Sequence, residues 1–457
     1  MDKCKGCTTC LKRCPTEAIR IRNNRASILN ERCIDCGECI KVCANHAKVA
    51  VTDPLESIKR FKYPIALPAP TLYAQFQGVH QPEPIIASLF RLGFVDVFEV
   101  ARAAEIVSYA ISRAMREEDR PKPVISSACP AILRLIQVRF PALLDNVIDF
   151  ISPMEAAAKI AKEEYAQKHG VDKADVGVFF ITPCAAKMTA VKSPVGQEKS
   201  HVDGVIAIKD VYAQMRAAMK QGFSPLEIDR ASVVGIKWAI PGGEVEAVGI
   251  KSSLCVDGID NVINVLEAIE DARFRNLTYF EGLACVNGCL GGPLTVENSF
   301  VAKNRLRSVM NRTLQKTVQR REIFEDAVQT LRMTRPIEPS DALQLSGTMK
   351  ERIEREERIE RLTRGLPGLD CGSCGSPSCR ALAEDIVNGY ANELNCVFRL
   401  NDRINSLAAE MLTLGTSTRY TTGEDMARLR RLHDELSRSE PSEAPDGGAD
   451  DDGGDST

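Results

Sequence analysis

The 457-residue sequence lacks any run of about 18 apolar residues, so we expect no transmembrane helix. The first thirty residues also lack the apolar stretch of a secretory signal peptide and contain cysteine, lysine and arginine instead. A strong net charge is absent as well: 59 basic and 62 acidic residues leave a formal charge of -3, which suggests neither nucleic acid nor an anionic membrane as a partner. These absences predict a cytoplasmic protein, whose 44% of hydrophobic residues suffice for buried cores in roughly two to four domains.

Cysteine, by contrast, is abundant, with 17 residues. Regularly spaced cysteines in a large chain without an export signal indicate metal binding, because the cytosol keeps thiols reduced. Eight cysteines lie between residues 4 and 43, four are scattered between residues 129 and 289, and four lie between residues 371 and 396. Cys255 stands outside these groups and is interpreted as a structural residue. The grouping predicts iron-sulfur clusters in three regions of the chain.

Two N-terminal runs, at residues 4–15 and 33–43, share the spacing C-x2-C-x2-C-x3-C and are separated by a strand-prone linker. Three thiolates on one tight loop reach three irons of a cubane while the fourth points away, so each run completes the cluster of the other. A structural zinc site is the alternative. The stretch resembles bacterial two-cluster ferredoxins, apart from Ala44, where those proteins often have proline. We predict a ferredoxin-like α+β domain at residues 1–55 that moves single electrons and holds two [4Fe-4S] clusters, one through Cys4, Cys7, Cys10 and Cys43 and the other through Cys33, Cys36, Cys39 and Cys14.

Residues 60–300 alternate apolar, strand-like runs with helical patterns, which predicts an α/β core with parallel strands. In two places, PVISSACP and VGVFFITPCAAK, a strand pattern leads through a cysteine into a helix. A helix N-terminus favours a thiolate because free backbone amides and the helix dipole stabilise negative charge. A glycine-rich loop, CVNGCLGGP, supplies two further cysteines. Singly, each cysteine is most often a small buried hydrophobe, but together they form a candidate ligand set: Cys129, Cys184, Cys285 and Cys289.

These segments resemble the three cysteine motifs of [FeFe]-hydrogenase large subunits, in the same order: SSACP, TPCAAK and EGLACVNGCLGGP. The resemblance spans about residues 60–310 and implies a hydrogenase-type α/β domain that binds an H-cluster. It implies a [4Fe-4S] cluster on the four cysteines, with Cys289 bridging to a diiron unit that carries carbon monoxide, cyanide and a dithiolate and splits H2 heterolytically. Lys187 fits the position whose ammonium hydrogen-bonds a cyanide ligand, with a solvated helix lysine as the alternative.

Three positions depart from the hydrogenase motifs. Catalytic members have a proton-relaying cysteine where this chain has Ala128, a glutamate where it has Ala190, and a methionine where it has Leu283. Alanine neither donates nor accepts a proton, so we expect slow turnover. A bound water or Glu105 could still supply a slow proton path, although the favoured interpretation of Glu105 is an ordinary surface carboxylate. Loss of the relay with retention of the cluster ligands is similar to the sensory branch of the family.

We therefore predict a cytoplasmic H2 sensor that slowly splits H2 and passes electrons along [4Fe-4S] clusters to a signalling output. Two alternatives stay open: a catalytically competent ferredoxin-linked hydrogenase, which oxidises H2 or reduces protons, and an electron-transfer protein that keeps the fold without the diiron unit. By resemblance, the expected partners are H2, protons, a redox partner such as ferredoxin, the diiron maturation machinery and a signalling kinase or phosphatase. Neither nucleic acid nor a membrane is expected.

The C-terminal cysteines have the spacing C-x2-C-x4-C-x16-C on a segment that begins as a glycine- and proline-rich loop. This pattern predicts a further [4Fe-4S] cluster, with a zinc ribbon as the alternative, and RALAEDIVNGYANEL predicts an amphipathic helix between the last two ligands. The segment resembles a small iron-sulfur domain of multi-cluster redox and sensor proteins. We predict a charged helical linker at residues 311–364, a small helical cluster domain at 365–400, helical segments that could dock a partner at 401–438 and a disordered acidic tail at 439–457. The predicted ligands are Cys371, Cys374, Cys379 and Cys396.

Overall fold

The computed structural model describes three long stretches and a few positions between residues 423 and 431; the long stretches are residues 3–222, 230–313 and 328–417. The chain divides into two compact units, Met1–Leu345 and Ser346–Thr457. Among the described residues, no helix is both long and apolar enough to cross a bilayer. The predicted acidic tail and parts of the predicted linker and of the predicted helical segments at 401–438 lie outside the described residues.

The first unit begins with a small α+β module, whose elements are α1 (Thr9–Lys12), β1 (Ile19–Arg22), β2 (Arg25–Ile28) and α2 (Glu38–Lys41). β1 and β2 form an antiparallel hairpin in which Ile19 lies opposite Ile28. Asn23 and Asn24 have positive φ angles of 50° and 57°, and two such residues form the turn that matches the strand twist in a two-residue hairpin. The strand-prone linker between the two cysteine runs therefore folds as this hairpin.

The rest of the first unit alternates strands and helices in two parallel sheets. The sheet orders are β4-β3-β6-β7 and β5-β9-β8, with every pairing parallel, which confirms the predicted α/β core. In chain order the elements are β3 (Tyr63–Pro68), α3 (Glu83–Arg91), β4 (Asp96–Val97), α4 (Val100–Glu117), β5 (Val124–Ile125), α5 (Pro130–Arg139), α6 (Pro153–His169), β6 (Val176–Thr182), α7 (Ala185–Lys192), β7 (Gly204–Ala207), α8 (Ile208–Met219), α9 (Val233–Lys237), α10 (Gly243–Val248), β8 (Ser253–Asp257), α11 (Ile259–Glu270), β9 (Tyr279–Leu283) and α12 (Ser299–Arg312).

Strand β6 separates two hydrophobic cores. All seven of its residues, VGVFFIT, are buried, which is typical of a parallel strand covered on both faces. Val178 and Phe180 pack into one core and Phe179 and Ile181 into the other, since successive side chains of a strand point to opposite faces. This double anchoring fixes the position of the cysteine motif that follows the strand.

All three central cysteine motifs follow the carboxyl ends of parallel strands. The first comes after β5, the second after β6 and the third after β9. Open α/β sheets bind ligands beyond the carboxyl ends of their strands, because the loops of neighbouring strands meet there. The topology therefore supplies a ligand-binding edge made from segments that are far apart in the sequence.

Part of the predicted linker packs onto the first unit. Helix α12 continues to Arg312, and residues 328–345 return to the core, where Leu331 is buried. Arg332 forms an ion pair with Asp149 and thereby holds this returning segment against the α/β core. The charged helix that the sequence predicts belongs to the second unit.

The second unit is helical; its elements are α13 (Met349–Gly365), α14 (Cys379–Val387), a 3-10 turn (Glu393–Asn395) and α15 (Val397–Ser417). Thr348 caps α13 through reciprocal hydrogen bonds with Glu351. The prediction of one helix running to Leu394 was wrong, because α14 ends at Val387. Gly389 has a φ of 78°, and a left-handed glycine at this position ends a helix.

Candidate metal centre

Cys129 and Cys184 each stand directly before the first turn of a helix, α5 and α7 respectively, which confirms the predicted placement. Pro130 begins α5, a position where its missing N–H costs no intrahelical hydrogen bond. In the second motif, the backbone N–H groups of Ala186 and Lys187 donate to the sulfur of Cys184 and favour its thiolate form.

The four cysteines of the central motifs line one cavity in the first unit. They are joined there by the predicted cyanide-binding lysine and by the alanine that replaces the relay cysteine; the set is Cys129, Cys184, Cys285, Cys289, Lys187 and Ala128. Much of the remaining wall is apolar, with Met154, Phe180 and Leu283 among its residues. The fold therefore brings together side chains from three distant motifs around a common space.

Three of the cavity thiols, those of Cys184, Cys285 and Cys289, are strongly desolvated. Burial raises the pKa of Cys285 to about 12 and also raises the pKa values of Cys184 and Cys289, and the neighbouring thiols add to the effect. Cys289 has accessible surface because it lines the cavity, although protein atoms surround it. Thiols of this kind ionise when a metal cation supplies positive charge. The donor set thus fits a cationic iron-sulfur core.

Among the described side chains, no three Cys, His, Asp or Glu residues converge on a single ion position. A cubane needs no such convergence, because each of its four thiolates binds a different iron. Lys187 adds a fixed positive charge: its Nζ donates a hydrogen bond to the backbone oxygen of Ala128 at 3.2 Å. The other ammonium protons of Lys187 stay available to an anionic ligand in the cavity.

A second cavity in the first unit is lined by all four cysteines of one predicted ferredoxin-type set: Cys14, Cys33, Cys36 and Cys39. The sulfur of Cys14 accepts a hydrogen bond from the backbone N–H of Ala18 at 3.2 Å. Hydrogen bonds of this kind to ligand sulfurs tune the potentials of iron-sulfur clusters. Cys36 lines this cavity and the central cavity, so the two candidate sites adjoin.

The other predicted N-terminal set is also close enough to interact electrostatically. Burial raises the pKa of Cys10, and the nearby Cys7 and Cys4 raise it further. Cys4 also acts to raise the pKa of Cys43. Backbone amides donate to two of these sulfurs, from Ala26 to Cys4 at 3.4 Å and from Ala47 to Cys43 at 3.3 Å, and these hydrogen bonds lower both pKa values.

In the second unit, the cysteines of the C-terminal set approach one another around the start of α14. Burial raises the pKa of Cys374, and the nearby Cys371 and Cys396 raise it further. The fourth cysteine, Cys379, is the first residue of α14, and its backbone N–H donates to Asp370 at 2.6 Å. The arrangement is compatible with the predicted cluster.

Comparison with known proteins gives matches for the core and for both cysteine-rich ends. Residues 62–249 match the family model described as "Iron only hydrogenase large subunit, C-terminal domain". Residues 1–44 match a 4Fe-4S dicluster domain, and residues 366–398 match an Fe-S cluster family. The core match contains the first two central cysteine motifs, and the third lies beyond its end.

The curated relatives of the chain include several hydrogenases by name. The chain is 24% identical over 369 residues to the NADP-reducing hydrogenase subunit HndD of Solidesulfovibrio fructosivorans, covering 64% of this chain and 63% of that protein. It is 28% identical over 182 residues to iron hydrogenase 1 of Clostridium pasteurianum, covering 37% of this chain and 32% of that protein. These matches support the [FeFe]-hydrogenase large-subunit family. The central region of the chain is similar to [FeFe]-hydrogenase large subunits, and its two ends are similar to iron-sulfur domains.

The hydrogenase-like chain spans less than two thirds of the length of either relative. Among solved structures, the [FeFe]-hydrogenase HydA1 from Chlamydomonas reinhardtii is similar with a TM-score of 0.46 and 15% identity, over 62% of this chain and 94% of that one.

The hydrogenase-like core also has two buried carboxylates on the central cavity, Glu244 and Glu281, which the sequence analysis missed. Burial raises the pKa of Glu244 to about 8, and the nearby Glu281 adds to the shift. The hydroxyl groups of Tyr279 and Ser126 donate to Glu244 at 2.6 Å and 2.7 Å. Glu281 could have been identified from the sequence, because this charged residue interrupts the apolar run of β9 and begins the motif EGLAC.

Two other residues lie in places that the sequence did not specify. Glu105, the predicted source of a slow proton path, lies on α4 and accepts a hydrogen bond from the backbone N–H of Ser232 at 2.6 Å, whereas the carboxylates on the cavity wall are the two just described. Cys255 lies on β8 and is hydrogen-bonded to Glu281, while burial raises the pKa of its thiol. Cys255 is therefore connected to the cavity through a carboxylate.

A smaller cavity adjoins the central one at Ala128 and Lys187, and Ala190 also lines it. Both alanines that replace polar residues of the hydrogenase motifs thus border the same space. Glu155 lines this space too, and its carboxylate accepts hydrogen bonds from the Ser200 hydroxyl at 2.6 Å and from the His201 backbone N–H at 2.8 Å. Burial raises its pKa.

Lys41 connects the N-terminal module to the third central motif. The Lys41 ammonium lies close enough to Cys285 to oppose the rise in the pKa of that thiol, and it also forms an ion pair with Glu38 at 2.8 Å. Nearby, Gly37 approaches Pro293 so closely that a Cβ atom on the glycine would lie 2.5 Å from the proline ring. The N-terminal module therefore packs directly against the motif that carries two of the central cysteines.

Proposed function

We propose that this chain is an H2 sensor with slow residual hydrogenase activity. The observation that carries the proposal is the composition of the central cavity wall, which retains four cysteines and Lys187 but has alanine at position 128. The metal-binding groups of a hydrogenase site are thus kept, while the group expected to relay protons beside the metal is missing. We expect a site of this kind to bind H2 but to turn it over slowly.

The residues of the cavity fit an H-cluster. The four cysteines would hold the cubane, with Cys289 shared with the diiron unit, and the Lys187 ammonium would hydrogen-bond an anionic cyanide ligand and fix its orientation. When bound, the diiron unit supplies the binding and heterolytic cleavage of H2. The protein supplies ligands, orientation and control of proton access.

Proton access in this proposal runs through the buried carboxylates. Glu244, with its pKa raised to about 8, holds a proton at neutral pH and lies on the cavity wall. Its hydrogen bonds to Ser126 and Tyr279 keep the carboxyl group in one orientation. A carboxylic acid that stays protonated at neutral pH can deliver a proton, but burial slows its re-protonation from solvent.

Electrons would leave through the N-terminal clusters. Because Cys36 lines the central and ferredoxin-type cavities, the two clusters would be separated by little more than ligand side chains. We propose that the resulting redox state is communicated to a ferredoxin-type partner or a signalling kinase or phosphatase in the cytoplasm. The two redox states would need different affinities for that partner.

The deciding experiment is infrared spectroscopy of the anaerobically matured, full-length protein, followed by an assay of turnover. The sensor proposal expects carbonyl and cyanide bands that shift with H2, together with slow H2 evolution. Such bands with turnover typical of production enzymes would instead establish a working hydrogenase. Absence of the bands after maturation, with intact cubanes, would establish an electron-transfer protein without the diiron unit.

A working hydrogenase is the second candidate, and one observation favours it. Glu244 and Glu281 place two proton-carrying groups on the cavity wall, so the missing relay at Ala128 does not isolate the cavity from every titratable group. The turnover measurement distinguishes this candidate from the sensor.

A further inference from the structure

Helix α15 of the second unit exposes a row of apolar side chains. Val397, Leu400, Ile404, Leu407 and Met411 follow one another at alternating intervals of three and four residues, and each is between 38% and 61% exposed. Soluble chains rarely leave a continuous apolar row on a helix facing water, since its burial against a partner is favourable. The row therefore indicates an interface.

The spacing and residue types match a coiled coil. An average period of 3.5 residues is the heptad repeat, in which positions a and d form the seam between two helices. Val397, Ile404 and Met411 occupy a, and Leu400 and Leu407 occupy d. Apolar residues at every a and d position from Val397 to Met411 are what a coiled-coil seam requires.

We propose that α15 pairs with α15 of a second copy of this chain in an antiparallel, two-fold symmetric coiled coil. In that arrangement, Ile404 of one copy packs against Leu407 of the other, and Leu400 packs against Met411. A symmetric pairing of this kind closes on itself and forms a dimer.

The charges beside the seam decide the orientation. Arg403 and Glu410 are the charged residues at the g positions; both are more than half exposed, and within one helix they form an ion pair at 3.8 Å, whose partners the dimer would exchange. In an antiparallel pair, Arg403 of one helix lies beside Glu410 of the other, and symmetry repeats the ion pair. In a parallel pair, Arg403 would face Ala408 and Glu410 would face Gly415 instead. Only the antiparallel arrangement is complementary in charge.

The pairing would also separate the two C-terminal cluster sites. Cys396 directly precedes α15, and a 21-residue helix is about 31 Å long, so antiparallel helices carry these cysteines at opposite ends of the seam. The interface itself does not depend on the proposed H2 chemistry.

Sedimentation velocity of the cluster-loaded, full-length protein across a range of concentrations tests the proposal. We expect a reversible dimer that Leu407→Asp weakens by about a hundredfold or more, because the variant places a charge in the seam. The matched control is Ala409→Asp, which adds the same charge on the opposite side of the helix and should leave dimerisation unchanged. Iron content and circular dichroism establish that both variants are folded.

Charge reversal tests the orientation. Arg403→Glu and Glu410→Arg should each weaken the dimer, and the double variant should restore it. A protein that stays monomeric at all concentrations, or a dimer insensitive to Leu407→Asp, would overturn the interface. Protection of α15 from hydrogen exchange in a monomer would assign the apolar row to another surface of the same chain. If neither Arg403→Glu nor Glu410→Arg weakened the dimer, the antiparallel arrangement would be wrong.

Discussion

Ala128 contributes to the central cavity in two separable ways. Its backbone oxygen accepts the hydrogen bond from Lys187 at 3.2 Å, while its methyl group lines the cavity without an exchangeable proton. The first contribution does not depend on the side chain. Substitution at this position can therefore restore a proton-carrying group while the contact that orients Lys187 is kept.

We expect Ala128→Cys to raise H2 turnover by about tenfold or more, because a thiol beside the cluster can relay protons. The measurement is H2 evolution with a reduced dye, after infrared spectra have established equal loading of the diiron unit. Ala128→Val is the matched control, since it adds comparable bulk without an acidic proton. Equal turnover in all three proteins would show that proton delivery at this position does not limit the rate.

Glu244 gives the protein a pH-dependent stability. Its pKa is raised to about 8 from an ordinary value of 4.5, so the folded state binds the proton more tightly than the unfolded state. The proton on Glu244 contributes its full stabilisation of the folded state below pH 4.5, the ordinary pKa, and this stabilisation is lost as the pH rises through about 8. Glu244→Gln, which stays neutral, should be more stable than the parent protein at about pH 9, on the order of a few kcal/mol.

Urea unfolding at about pH 6 and about pH 9, under anaerobic conditions, measures this difference. Glu246→Gln is the matched control, because Glu246 lies on the same helix with its side chain 65% exposed. The stability of Glu246→Gln should depend on pH in the same way as that of the parent protein. If Glu244→Gln followed the parent protein as well, the buried carboxyl group would not hold its proton as described.

At the scale of secondary structure, local sequence patterns predicted the elements whose signals lie in contiguous residues. The strand VGVFFI and the helix after Cys184 were predicted because the apolar run, the cysteine and the helical spacing are contiguous. The early end of α14 was missed because amphipathic spacing continues through Gly389, whose left-handed backbone breaks the helix. Glu244 and Glu281 were missed because α10 and β9 meet only in the folded core.

Helix α2 places the ammonium group of Lys41 near the sulfur of Cys285. A positive charge near a ligand sulfur stabilises the reduced, more negative cluster. Lys41→Met should therefore lower the reduction potential of the central cubane by on the order of 60 mV, the one-electron equivalent of about 1.4 kcal/mol.

Redox titration followed by electron paramagnetic resonance measures the potential of each cluster. Lys48→Met is the matched control, because Lys48 acts electrostatically on Cys10 and Cys39 of the N-terminal clusters. That variant should shift the N-terminal potentials and leave the central one nearly unchanged. A central potential that responds equally to both substitutions would contradict a specific role for Lys41.

For the whole molecule, the division into two compact units predicts that their metal sites are independent. Cys396 is a buried candidate ligand in the second unit. We expect Cys396→Ser to remove about four iron atoms per chain, the content of one cubane, and to lower the melting temperature of the second unit, since metal binding contributes folding free energy.

Iron analysis and calorimetry measure both effects, while infrared and paramagnetic spectra of the first unit should stay unchanged. Cys255→Ser, at the cysteine outside every predicted ligand set, is the control and should keep its full iron content. Loss of all clusters in Cys396→Ser would mean that the two units are assembled as one, and unchanged iron would remove Cys396 from the ligand set.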